Sequence, residues 1–182
     1  MIRKATIGLL FLLLGSTAAL PTEASPSYMF QTVLLLGSSE GSSDLSGIPA
    51  NVAGALEDVA QFLPYKSYRM IDTSIIRSAV EARGRLTGLS GQEFELEFRF
   101  QDVDADSLFV KGFSIDTLVP EAQDRVVTEG KKTKLEHQPP RWVRKSVIAT
   151  SFTVEIGETI VVGTSKLNGS GQALIVLFTA VR

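Results

Sequence analysis

The chain has 182 residues, 18 basic and 20 acidic side chains, a formal net charge of −2, no cysteine and one histidine. That inventory excludes disulfides, lipid attachment through a cysteine and zinc sites of the usual nitrogen and sulfur type. Near-neutral charge also argues against a general polyanion binder, because affinity for nucleic acid rests on clustered basic charge.

Residues 1–24 have the three parts of an export signal. Arg3 and Lys4 give the positive start, Ile7 to Leu14 is apolar, and small residues follow at Ser16, Ala18 and Ala19. Thr22-Glu23-Ala24 offers small side chains again, so cleavage fits after Ala19 or Ala24, with Ala24 preferred. The alternative is a retained anchor, but the apolar run is shorter than the ~20 residues a bilayer span needs. No later segment is long and apolar enough to span. The expectation is one mature β-rich domain, residues 27–182, without a transmembrane segment, in the periplasm or outside the cell.

Met29 to Leu36 reads as the first strand and ends at Gly37. A polar, glycine-rich loop follows from Ser38 to Gly47. From Asn51 to Leu63, apolar side chains recur at Val52, Leu56, Val59 and Leu63, with Ala55 and Phe62 beside them, so one helix over residues 51–63 is expected. Pro49 suits its first turn and Pro64 ends it. Tyr65 to Ile76 is rich in β-branched and aromatic residues, and Ala79 to Leu89 is a weaker run bounded by glycines. In Gln92 to Gln101, Phe94, Leu96, Phe98 and Phe100 alternate with Glu93, Glu95, Glu97 and Arg99, the period of a strand with one buried face. Asp102 to Asp106 is an acidic turn, and Leu108 to Leu118 returns as a strand.

Residues 119–145 break the pattern and are expected to form a long basic loop, with Pro139-Pro140 opposing regular structure. A loop of that length in a small domain is functional or mobile. Strands resume with Ile148, Thr150, Phe152, Val154 and Ile156 on one face. Gly157-Glu158 makes a tight turn, Thr159 to Val162 returns, Thr164 to Gly171 is a loop, and Ala173 to Val181 closes the chain.

The residues offer little chemistry. His137, beside the double proline, is expected to be solvated. The loop from Gly37 to Gly47 lacks a Gly-Lys-Ser/Thr ending, and its Glu40 and Asp44 would repel phosphate. Glu93, Glu95 and Glu97 share a strand face, which supports a small secreted hydrolase of carboxylate type acting on glycans as the alternative function. Their plainer reading is a solvent-facing strand. Asp102, Asp104 and Asp106 are spaced like the start of a calcium loop but lack its glycine and closing glutamate. No catalytic, cofactor-binding or metal-binding residues are assigned, and no cofactor is expected. The best interaction surface is the basic stretch from Arg125 to Lys145. There Arg125, Lys131, Lys132, Lys134, Arg141, Arg144 and Lys145 surround Trp142, the only tryptophan. An aromatic in such a stretch can dock on acidic lipid, glycan or protein, or fold back onto the core. Asn168-Gly169-Ser170 matches a glycosylation sequon, relevant only in a eukaryotic host.

The stretch SFTVEIGETIVVGTSKLNGSGQALIVLFTAVR, Ser151 to Arg182, resembles the closing part of the secretin β-domain, from the outer-membrane gates of bacterial secretion and pilus systems. Gly157-Glu158-Thr159 matches that family's turn, Ile160 to Gly163 its return strand, and Leu174 to Thr179 its last strand. Thr164 replaces the second glycine, Ala180 the proline, and Ile156 precedes the turn glycine. The likeness spans about a sixth of the chain and implies an exported envelope protein that works by strand pairing or subunit contact. The expected architecture is α+β: a mostly antiparallel β-sheet or sandwich with the one main helix packed on it. The expected function is a non-enzymatic binding or assembly module. Its partner would be another envelope protein or a second copy, met through strands or the segment around Trp142, and not nucleic acid.

Overall fold

The alternation in Glu93–Asp102 demands a second layer to cover its phenylalanines, and the rest of the chain supplies it. The computed structural model describes residues 26–129, 132–167 and 171–182, the side chains of Ser90 and of residues 122–138 excepted. The export-like residues 1–24 and the sequon at Asn168 lie outside the described residues. In chain order come β1 (Tyr28–Ser38), α1 (Ala50–Ala60), β2 (Ser67–Ser78), β3 (Glu81–Thr87), β4 (Glu93–Asp102), β5 (Ser107–Glu129), β6 (Lys132–Glu155), β7 (Thr159–Leu167) and β8 (Gln172–Val181). They form two four-stranded antiparallel sheets, ordered β2-β1-β8-β7 and β3-β4-β5-β6. No helix among the described residues is long and apolar enough to cross a membrane.

The two sheets meet through phenylalanine. Phe30 of β1 and Phe178 of β8 pack against Phe98 of β4, with ring centroids 5.1 and 5.3 Å apart, both edge to face. Phe113 of β5 and Phe152 of β6 close on Phe178 at 5.7 and 5.4 Å. The first sheet is covered on its other face too. Val33, Leu35, Ile175 and Leu177 meet Val52 and Leu56 of α1. Burial on both faces is why β1 and β8 read as continuous apolar runs while β4 alternates.

The helix is shorter than expected. It ends at Ala60, and Phe62, placed on the apolar stripe by the sequence pattern, is 78% exposed. Phe62 and Leu63 donate to Val59 and Ala60 in tight i to i−3 turns, which rotate Phe62 off the buried face. In β5, Val110 and Phe113 both point into the core although they are three residues apart. A bulge between them restores the phase. Gly112 takes it with φ of +63°, a conformation that favours glycine, and donates its N–H to Ser151 Oγ at 3.0 Å.

The largest departure from the sequence reading is residues 119–145, expected as a loop. Residues 119–129 and 132–145 form the outer part of the β5–β6 hairpin, paired from Val119↔Val143 to Glu129↔Lys132 with one register shift. The prolines fit because β6 is an edge strand and the register shifts where they stand. Glu121 pairs with Arg141 and Gln123 with Gln138, so Pro139 and Pro140 bulge opposite Ala122. Proline's missing N–H is tolerated at an edge bulge. β7 also runs on to Leu167, beyond the expected end at Val162. The turn at Gly157 (φ +92°) carries the chain from one sheet to the other, because β7 pairs with β8 and β6 with β5.

Two outcomes test this core. Phe98→Asp places a charge among four rings, those of Phe30, Phe100, Phe113 and Phe178, and is expected to abolish the cooperative melting transition, and a wild-type melting temperature would refute the strand assignment. Tyr28 donates to Asp102 Oδ1 at 2.7 Å, and that bond, with burial, raises its phenol above the ordinary 10.0. The folded chain therefore holds this proton longer than the unfolded chain. The stability it contributes is intact below pH 10 and is lost as pH rises through the folded value. Tyr28→Phe is expected to reduce the alkaline fall in melting temperature, read by calorimetry, with burial-raised Tyr68 accounting for part of the remainder.

Candidate functional site

The surface with the most convergent features is the step where β4 stops and β5 continues. The last β4 partner of β5 is Phe94, opposite Thr117. Beyond it β5 and β6 run on as a two-stranded ribbon, eleven residue steps from Leu118↔Arg144 to Glu129↔Lys132. At ~3.4 Å per residue the ribbon reaches roughly 37 Å past the sheet. Local contacts fix the step. Thr117 Oγ1 donates to the Glu93 carbonyl at 2.9 Å and accepts from Gln92 Nε2 at 3.1 Å, which anchors the short turn Leu89–Gly91 ahead of β4.

A cleft of about 810 Å³ lies in this step, within the size range of small-ligand and peptide sites. Leu89 stands on one side, and Leu118, Pro120 and Trp142 on the ribbon side. Trp142 is 62% exposed and Leu118 51% exposed, so the tryptophan does not fold back onto the core. Trp142 pairs with Pro120 across the ribbon and Arg144 with Leu118, which puts all four on one face. The polar floor holds Glu93, Glu95, Asp116 and Arg144. Glu95 and Asp116 are opposite each other in the ladder, and Arg144 bridges them, hydrogen-bonded to Glu95 and 3.5 Å from Asp116.

The other sequence candidates are placed elsewhere. Glu97 pairs with Arg83 at 3.1 Å, and Arg99 with Glu81 at 3.0 Å, a charge ladder over the open face of the second sheet. Asp102 accepts from Tyr28, and Asp104 accepts from the Asp106 N–H at 2.9 Å. That N–H, then the Ser107 hydroxyl, lowers the Asp104 carboxyl below its ordinary range. Among the described residues no group of three or more histidines, cysteines or carboxylates is arranged to hold a metal. The backbone of His137 pairs opposite Asp124, and its side chain lies outside the described ones.

The sequence pointed to Trp142 and Arg144 through the basic stretch around them. It did not join them to Glu93, Glu95 and Asp116, because that meeting depends on strand register. Comparison with protein-family models, with curated proteins and with solved structures found no match.

Arg144 keeps two facing carboxylates from repelling each other. Arg144→Ala is expected to lower stability by up to about 1 kcal/mol, since its side chain is 57% exposed. Adding Asp116→Asn is expected to restore most of that loss in a denaturant titration. A double variant no more stable than Arg144→Ala would show that the bridge does not act through charge.

Proposed function

We propose that the chain is an exported, non-enzymatic envelope protein, a binding or assembly module that meets its partner through the β5–β6 ribbon and the cleft at its base. One observation carries the reading: an exposed tryptophan beside an exposed leucine, lining a cleft where a long ribbon leaves the sheet. Exposed aromatics in concave sites are the usual anchors of protein contacts. The pattern of residues 1–24 supports export, and the likeness of Ser151 to Arg182 to secretins supports an envelope setting. A glycan hydrolase would need two carboxylates free to act on a bound sugar. Glu95 and Asp116 instead share Arg144.

The test is a photoreactive residue at position 142 in living cells, with position 62, also exposed and aromatic, as the control. A specific adduct is expected from 142 and not from 62. No adduct at 142, or equal labelling at both, would overturn the docking reading. In the same cells the mature N-terminus is expected at Ser25 or Leu20, and a chain retaining Met1 in the cytoplasmic fraction would remove the export half.

A further inference from the structure

We propose that the occupant of the cleft is the ribbon tip of a second copy of this chain, in a two-fold dimer whose ribbons lie antiparallel, each tip at the other's base. The inference rests on the docking reading above and names its partner.

Charge gives the first reason. The cleft sets three carboxylates, Glu93, Glu95 and Asp116, against one cation, Arg144, beside an exposed indole. Two net negative charges next to an aromatic face suit a cationic group, held by Coulomb attraction and by the ring's quadrupole. The chain carries such a group. The outermost pair of the ribbon is Glu129 with Lys132, and the sequence there reads Glu129-Gly130-Lys131-Lys132-Thr133-Lys134. The asymmetry extends to the whole molecule: residues 118–145 hold seven basic and four acidic side chains, and the remainder holds eleven and sixteen.

Geometry gives the second. Tip and cleft sit at opposite ends of one ribbon, so a tip cannot reach its own cleft. Two ribbons of equal length laid antiparallel bring both tips to both clefts at once, a closed isologous contact. Seating a tip alone would cover less than the roughly 800 Å² per partner of a stable interface, so the length of the ribbon must contribute.

The open edge gives the third. Past Thr117, β5 has no second neighbour among the described residues, and a two-stranded ribbon alone is marginally stable in water. A second ribbon alongside covers that edge. Pro120 removes one donor near the base, so strand pairing is interrupted there and the contacts of Trp142 and Leu118 take its place.

Sedimentation of the purified chain over a concentration series tests the proposal. A dimer is expected at low salt, dissociating as salt screens the tip from the cleft. Two charge variants are expected to be monomeric alone: Lys131→Glu/Lys132→Glu/Lys134→Glu at the tip, and Glu93→Lys/Glu95→Gln in the cleft. Mixed in equal amounts they are expected to form a heterodimer, because each tip then meets a cleft of opposite sign. Trp142→Ala is expected to weaken dimerisation roughly tenfold or more. If a charge variant fails to fold by circular dichroism, Trp142→Ala decides, since its exposed side chain is not part of the core. A wild-type chain that stays monomeric at every concentration and salt, or a dimer indifferent to both tip reversal and Trp142→Ala, overturns the proposal. A monomer that still gives the position-142 adduct with another protein in cells would end self-docking alone and leave the docking reading in place. Absence of both would end both.

Discussion

The packing of Phe30 and Phe178 into Phe98, Phe113 and Phe152 is the constraint on which the described fold depends. The chain has no cysteine, so apolar burial has to offset the entropy of ordering the strands without a cross-link. Each buried ring contributes roughly 1.5–3 kcal/mol, and edge-to-face contacts add to that. The arrangement also fixes register. A one-residue slip of β4 would turn Phe94, Leu96, Phe98 and Phe100 out to water and Glu95 and Glu97 into the core. The bulge at Gly112 serves the same end, because without it Phe113 and Ile115 would face outward.

Once the two inner faces are joined, the outer faces differ. The first sheet is sealed by α1, so it has no open face at β1 and β8. Among the described residues the second sheet has no such cover and meets water with paired charges, Arg83 with Glu97, Arg99 with Glu81, and Arg144 with Glu95 and Asp116. These half-exposed pairs add little stability, but they keep unlike charges opposite one another across the strands. The cleft opens on this second sheet, at its unsealed end.

How much of this was legible in the sequence varied with the range of the interaction. The period of β4 and the stripe Val52, Leu56, Val59 are local, and they gave the β-rich class and the helix. Continuous runs such as Leu34 to Leu36 and Ala173 to Ala180 told of burial without telling which layer covers each face. The helix end is not legible because Phe62 has the right spacing, and only the tight turn after Ala60 shows that it leaves the buried face. The segment 119–145 is not legible as strand because Pro139-Pro140 opposes regular structure, and only the register shows that the pair stands at an edge bulge. At an edge bulge their cost is small. The cleft could not be read at all, since Glu95, Asp116 and Arg144 are far apart in sequence and meet through the register of β4, β5 and β6.

The ribbon departs from the logic that explains the rest of the fold. Ordering a residue's backbone costs about 1–2 kcal/mol, so residues 118–129 and 132–145 carry a cost of roughly tens of kcal/mol. The hydrogen bonds of one ladder return only about 1 kcal/mol each. Elsewhere in the chain a second layer closes that gap. At the base of the ribbon the large apolar side chains that could do so, Leu118 and Trp142, are exposed on the face that lines the cleft. Among the described residues nothing covers that face at the ribbon's base, so a surface laid on Leu118 and Trp142 would add the burial missing there. The exposed pair at its base marks where such a surface would bear. The two layers therefore account for the sandwich, and the exposed face of Leu118 and Trp142 is what the proposed partner would cover.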